Sequence, residues 1–165
     1  MDSEYPHHRS HGNQGNPVFR GSSNLTLDNK GRLVVPARHR DALLERCGGH
    51  LVITADPDQC LLLYPLPEWE VIQQKLYALS NIDPRVRTLQ RRLAGQAVDT
   101  QMDAAGRLLV SPELREYALL VKDVVLVGQD NKFELWNRDT WKALAQAPGG
   151  LTPEQLPPQL EGFSL

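Results

Sequence analysis

Two short segments carry the residues best suited to chemistry on a charged partner. In "TLDNKGRLVVP", Thr26 to Pro36, the side chains of interest are Asp28, Lys30, Gly31 and Arg32; in "QMDAAGRLLVSP" the same places hold Asp103, Ala105, Gly106 and Arg107. An aspartate opening a four-residue turn accepts hydrogen bonds from the turn amides, and a glycine closing it tolerates positive φ. Asp28, Gly31, Asp103 and Gly106 are therefore explained as turn formers. The arginine that follows each glycine is not explained this way, because a strand position favours Thr or Val. Its flat donor fork fits phosphate and the O6/N7 edge of guanine. A charge guarding a sheet edge and an ion pair with the preceding aspartate are the structural alternatives. From Val18 to Asp41, five basic residues (Arg20, Lys30, Arg32, Arg38 and Arg40) stand against Asp28 and Asp41 alone, a local excess of +3 in a chain of net charge -2. A basic footprint of this kind is what a nucleic-acid binder shows, even where global charge is acidic.

Other chemistries lack their residues. The chain contains no GxSxG elbow, P-loop, HExxH helix or GxGxxG turn. Cys47 and Cys60 lie far apart with no CxxC spacing, which gives neither a thiolate metal site nor a disulfide framework and points to reduced thiols in the cytoplasm. His39 and His50 are single, and His7, His8 and His11 form a loose cluster in a polar leader, so no metal site and no cofactor is assigned. Trp69, Trp136 and Trp141 fall at element ends, where packing accounts for them. An enzyme is not expected. No apolar run approaches a membrane span, and the opening segment lacks the apolar centre of a signal peptide.

The elements that must position the two arginine turns form an internal repeat. Asp28 to Arg32 maps onto Asp103 to Arg107 at an offset of 75, and Asp58, Tyr64 and Trp69 map onto Asp130, Trp136 and Trp141 at an offset of 72. Each copy predicts strand, turn, strand, short helix, a second hairpin and a closing helix. In the first, strands at about 24–27 and 32–35 lead to the helix "PARHRDALLER", which Gly48 and Gly49 stop. "HLVIT" and "CLLLY" then flank "ADPDQ", and "PEWEVIQQKLYAL" follows with Trp69, Ile72, Leu76 and Leu79 at helical spacing. In the second, Ser111 caps a helix starting at Pro112, "VVLVG" and "KFELW" flank "QDN", and "RDTWKALAQ" closes. "DPRVRTLQRRL", with Arg85, Arg87, Arg91 and Arg92, links the copies.

This divides the chain into a disordered leader (1–17), a first module with its closing helix (18–82), the linking helix with a second module (83–147) and a flexible tail (148–165). At 165 residues and 41% hydrophobic the chain holds one ordinary core, and a module of some 50 residues buries too little by itself. The halves are therefore expected to pack as a pseudo-symmetric pair with strands interleaved across a common core.

The stretch "FRGSSNLTLDNKGRLVVPARHR", the paired DxxxR motifs at Asp28/Arg32 and Asp103/Arg107, "RRLAGQA" and "GQDNKFELW" together resemble the MraZ family of bacterial transcriptional regulators. The resemblance covers about Val18 to Ala147. It implies an α+β, mostly β fold of two tandem AbrB-like swapped-hairpin modules, forming a pseudo-symmetric β-barrel with short flanking helices. It also implies a ring-shaped homo-oligomer that binds double-stranded DNA at direct repeats upstream of its own gene, in the division and cell wall cluster. Such a protein would be nucleoid-associated and would take no small-molecule effector. The family's DNA-contacting arginines fall on Arg32 and Arg107, and Lys30 matches a basic position of the first motif where the second has Ala105; Arg20 and Arg38, from the same basic segment, are expected as further DNA contacts. Val18 occupies the family's initiating Met position, so the leader is expected to be a vector remnant or an over-extended start. A ring-forming scaffold for protein or peptide partners is the alternative reading.

Overall fold

The computed structural model describes residues 18–147 and 157–160. The leader and most of the tail lie outside the described residues. Strand β1 (Ser22–Thr26) enters the Asp28 turn and β2 (Arg32–Val34) leaves it. Pro36 then starts α1 (Ala37–Cys47), because its fixed φ already matches a helix entry. Gly48 ends the helix in the left-handed region at φ 60°, returning its N–H to Leu44 O. β3 (His50–Ala55), β4 (Leu61–Pro65) and α2 (Leu66–Ala78) complete the first half, and α3 (Pro84–Leu93) links it to the second. The second half repeats the order with β5 (Val98–Gln101), β6 (Arg107–Leu109), α4 (Pro112–Tyr117), β7 (Asp123–Gln129), β8 (Lys132–Asn137) and α5 (Arg138–Gln146). Ser111 Oγ accepts the Leu114 N–H at 3.4 Å to cap α4, whereas Pro36 offers α1 no side-chain cap.

The strands exchange between the halves. Six form an antiparallel sheet in the order β1-β7-β8-β4-β3-β5, and β2 pairs with β6 in a separate two-stranded ribbon. Each arginine turn therefore joins two strands that ladder with the other half. β1 and β2 meet through the bond from Asp28 N–H to Arg32 O at 2.9 Å, and β1 then ladders onto β7 of the other half. β5 does the same on β3, with Asp103 N–H to Arg107 O at 3.0 Å. The physical reason is the one that made interleaving an expectation: exchange satisfies strand backbones and buries both small halves in one core.

A pseudo-two-fold axis organises this exchange. Leu33 sits opposite Leu108 in the ribbon and Leu62 opposite Glu134 in the sheet, and each pair is also the pair the sequence repeat equates. The axis passes between both pairs. Around it, Leu33, Leu108, Leu51, Leu61, Leu135 and Val124 are essentially without solvent contact, and Phe19 packs on Phe133 with ring centroids 4.3 Å apart. The opposite face of the sheet is covered as well, by Trp69 over Val52, Leu62 and Tyr64, and by Trp141 beside Cys60, Val125, Val127 and Trp136. Burial on both faces explains why β3 and β4 are continuous apolar runs rather than alternating ones.

Three expectations need adjustment. Among the described residues the helices hold more residues than the strands, so the fold is α+β but not mostly β. The ladders form an open sheet with β1 and β5 as its edges, and no closed barrel is found. Leu79, expected on the buried stripe of α2, instead ends that helix in an extended conformation and is exposed. Within α1, His39 is buried against the rings of Phe19 and Phe133, and Arg38 Nε donates to its Nε2 at 3.1 Å. Burial, and then the Arg38 charge, hold it below the usual histidine range.

Candidate nucleic-acid interface

The two arginine turns have nearly identical geometry. Asp28 Oδ1 accepts the N–H groups of Lys30 and Arg32, both at 2.9 Å, and Oδ2 accepts Arg32 Nε at 2.7 Å. In the second turn Asp103 Oδ1 accepts from Ala105 at 3.0 Å and Arg107 at 2.8 Å, and Oδ2 accepts Arg107 Nε at 2.7 Å. Gly31 and Gly106 close the turns at φ 82° and 78°, where a side chain would be strained. Each aspartate thus shapes the turn and also holds the following guanidinium by one edge. Both Nη groups of Arg32 and of Arg107 make no further hydrogen bond among the described residues and are left for a partner. The ion pair named as a structural alternative is present in both turns, and it occupies only one edge of each guanidinium.

The backbone N–H of Arg32 is the main cause that holds the Asp28 carboxyl down, from 3.8 to about 2, and the corresponding bond from Arg107 lowers Asp103. The folded state therefore prefers the ionised carboxylates. Their contribution to stability is fully present above the unfolded-state value and is lost as pH falls through it toward the folded one. Wild-type stability, followed by thermal melts, should decline between about pH 4 and 2. The variant Asp28→Asn, Asp103→Asn should show a flatter decline; an equal slope in both proteins would show that these carboxylates are not linked to folding.

Strand alternation places the arginines on one outward face. Leu33 and Leu108 point inward, so Arg32, Val34, Arg107 and Leu109 point out. Arg32 lies opposite Leu109 and Arg107 opposite Val34, which makes the two arginines diagonal neighbours at roughly 7–8 Å. Lys30 stands on the adjoining turn, exposed. Arg20 and Arg38 are not brought to the ribbon. Arg38 Nη2 donates to Ser23 Oγ at 2.7 Å, near the far end of β1, about 17 Å along the strand from Asp28. Arg20 lies beside Gly128, where its backbone crosses so closely that a Cβ on Gly128 would meet Arg20 N at 2.4 Å.

Two further arginines, outside the contacts expected from the sequence, complete the site. Arg115 Nε donates to Val110 O at 3.0 Å and its side chain lies over Gly31; Arg40 Nε donates to Val35 O at 2.7 Å and its side chain lies over Gly106. Each turn is thus backed by an arginine from the opposite half. The repeat itself, which equates Arg40 with Arg115, was the signal for this pairing. A Cβ on Gly106 would sit 2.6 Å from Arg40 Nε, forcing that side chain off the Val35 carbonyl. Gly106→Ala should therefore lower stability by about 1–2 kcal/mol from the left-handed backbone alone, read as a reduced melting temperature. An unchanged melt would show that the turn relaxes freely.

Among the described residues no group of three or more His, Cys, Asp or Glu is placed to hold a metal ion. Burial pushes the Cys60 thiol far above its ordinary range, which opposes a nucleophilic thiolate. No helix among the described residues is long and apolar enough to cross a membrane.

The fold and this site define a tandem-repeat α+β protein whose halves exchange strands about a pseudo-dyad and present twin Asp-held arginines on one ribbon. Comparison with known proteins gives the family. The family pattern described as "MraZ protein, putative antitoxin-like" matches residues 18–92 and again 93–148. Proteins named "Transcriptional regulator MraZ" are similar over nearly the whole chain. That of Thiobacillus denitrificans is 56% identical over 148 residues, 90% of this chain and 100% of the relative. That of Nitrosospira multiformis is 53% identical over the same shares, and that of Pseudomonas aeruginosa 51% over 145 residues, 83% of this chain and 96% of the relative. The chain belongs to the MraZ family.

Proposed function

We propose that the protein is a transcriptional regulator that binds double-stranded DNA sequence-specifically through the β2–β6 ribbon. The observation that carries this reading is the pair of Asp-held arginines, Arg32 and Arg107, with free Nη groups on one outward face. A two-stranded ribbon fits the major groove, and an arginine fork addresses guanine O6 and N7 there. Lys30 supplies a phosphate contact beside Arg32. In this reading Arg38 and Arg20, set away from the ribbon, contact the flanking DNA backbone rather than base edges. The names of the relatives support regulation of transcription.

The finer reading follows from the family resemblance. Residues 18–82 and 83–147 act as two AbrB-like modules of one barrel-like unit, and units join head to tail in a ring. Such a ring presents the same ribbon in the same sense at each step, which matches direct repeats rather than a palindrome. One small ribbon binds weakly; several linked in a ring raise the effective concentration and so the avidity. The target is the DNA upstream of the protein's own gene in the division and cell wall cluster, and the protein works in the cytoplasm on the nucleoid.

Footprinting on that upstream DNA, with affinity measured across salt concentrations and mass measured in solution, tests the proposal. Protected, evenly spaced repeats and a steep fall in affinity with salt are expected. Partners retained after nuclease treatment, with no footprint, would favour the scaffold reading instead.

A further inference from the structure

We infer that Val34 and Leu109 are specificity-determining residues of the ribbon, each set against the 5-methyl group of a thymine in the major groove. The inference rests on the DNA-binding reading above and adds the base chemistry that the arginines cannot read. Val34 is 45% exposed and Leu109 51%, on the same outward face as Arg32 and Arg107. Their neighbours Leu33 and Leu108 already fill the core, so the two outward aliphatic side chains add nothing to it. Strand propensity by itself accounts for a valine on the solvent face but not for a leucine, and neither side chain packs into the core from there. Exposed aliphatics at symmetry-related positions therefore call for a partner with an apolar feature.

The register says which partner. Val34 lies directly opposite Arg107, and Leu109 directly opposite Arg32, so each arginine has an aliphatic side chain as its cross-strand neighbour. On the major-groove edge, guanine offers two acceptors to an arginine fork, and thymine offers a methyl group to an apolar side chain. An arginine beside an aliphatic is thus a two-letter reader for a guanine near a thymine. Around this face Lys30, Arg32, Arg107, Arg40 and Arg115 outnumber the paired Asp28 and Asp103, a basic excess that favours a polyanion over a second protein surface.

The asymmetry of the face adds a direction. A strictly two-fold ribbon would read a palindrome. Here Val34 is mirrored by Leu109, a longer side chain, and Lys30 by Ala105, so the two ends of the ribbon read unequal base steps. A directional element is what a direct repeat requires.

The test uses a duplex enriched from a random pool by the wild-type chain, then resynthesised with uracil in place of thymine one position at a time. Uracil removes the methyl group and leaves base pairing intact. At contacted positions wild-type binding should weaken about fourfold, the value of one buried methyl-sized group. The double variant Val34→Ala, Leu109→Ala should bind thymine and uracil duplexes alike, with an unchanged melting temperature. If no uracil position weakens the wild-type chain, or if the variant keeps the full sensitivity, the inference is overturned while the enrichment leaves the DNA reading standing. A pool that yields no enriched sequence ends both. A variant that changes mass in solution but keeps methyl sensitivity would make this face a contact between copies and would also overturn the inference. If the alanine variant does not fold, Val34→Thr, Leu109→Thr, whose side chains suit a strand, is scanned in its place and must lose part of the methyl sensitivity.

Discussion

Arg32→Ala is expected to weaken binding to the enriched or upstream duplex by about 1–3 kcal/mol and to relax base preference at the guanine it addresses. The fold should not suffer. The Asp28–Arg32 pair is partly exposed, with the Arg32 side chain at 27%, and pairs of that kind contribute little to stability. Binding isotherms with a parallel thermal melt separate the two effects. Arg32→Lys keeps the charge but loses the flat fork, so it should retain the salt dependence and lose much of the discrimination. Arg107→Ala should cost less than Arg32→Ala, because Ala105 leaves the second turn without the cation that Lys30 provides in the first. Normal binding by folded Arg32→Ala at physiological salt would falsify the assignment of this residue.

The largest effect on stability belongs to the residues on the pseudo-dyad. Leu33 and Leu108 are 0% and 1% exposed and face one another in the register of the ribbon. Leu33→Ala removes a fully buried side chain where the two halves meet on the axis, and should destabilise the protein by about 2–5 kcal/mol. The unfolding transition should stay single. β1 is laddered on β7 and β5 on β3, so neither half can melt and leave the other intact. Urea unfolding followed by tryptophan fluorescence and circular dichroism measures both points, since Trp69 belongs to the first half and Trp136 and Trp141 to the second. Two separated transitions, or a loss below about 1 kcal/mol, would contradict the interleaved core described above.

Much of this architecture was legible in the chain. Asp28, Gly31, Asp103 and Gly106 specified their turns locally, because an Asx-type carboxylate and a left-handed glycine need only neighbours a few residues away. The same holds for Pro36, Gly48 and Ser111 at helix ends. The repeat made a pseudo-symmetric pair the natural arrangement. The end of α2 was less legible: Leu79 keeps helical spacing with Trp69 and Leu76, but it lies where the helix has already stopped and nothing packs over it.

What no local pattern could decide was the partner of each strand. A strand shows by alternation which of its faces is apolar, but backbone hydrogen bonds are the same for every partner, so "NLTL" could ladder with its own turn-mate or with a strand some hundred residues away. The structure chose β7, and with that choice came the pairing of Leu33 with Leu108, the burial of His39 between two phenylalanines, and the laying of Arg115 over Gly31 and Arg40 over Gly106. The sequence by itself determined two Asp-x-x-Gly-Arg turns, each followed by an inward leucine and an outward aliphatic. Only the tertiary structure decided that both arginines share one face, because that face exists only once β2 and β6, from opposite halves of the chain, are hydrogen-bonded to each other.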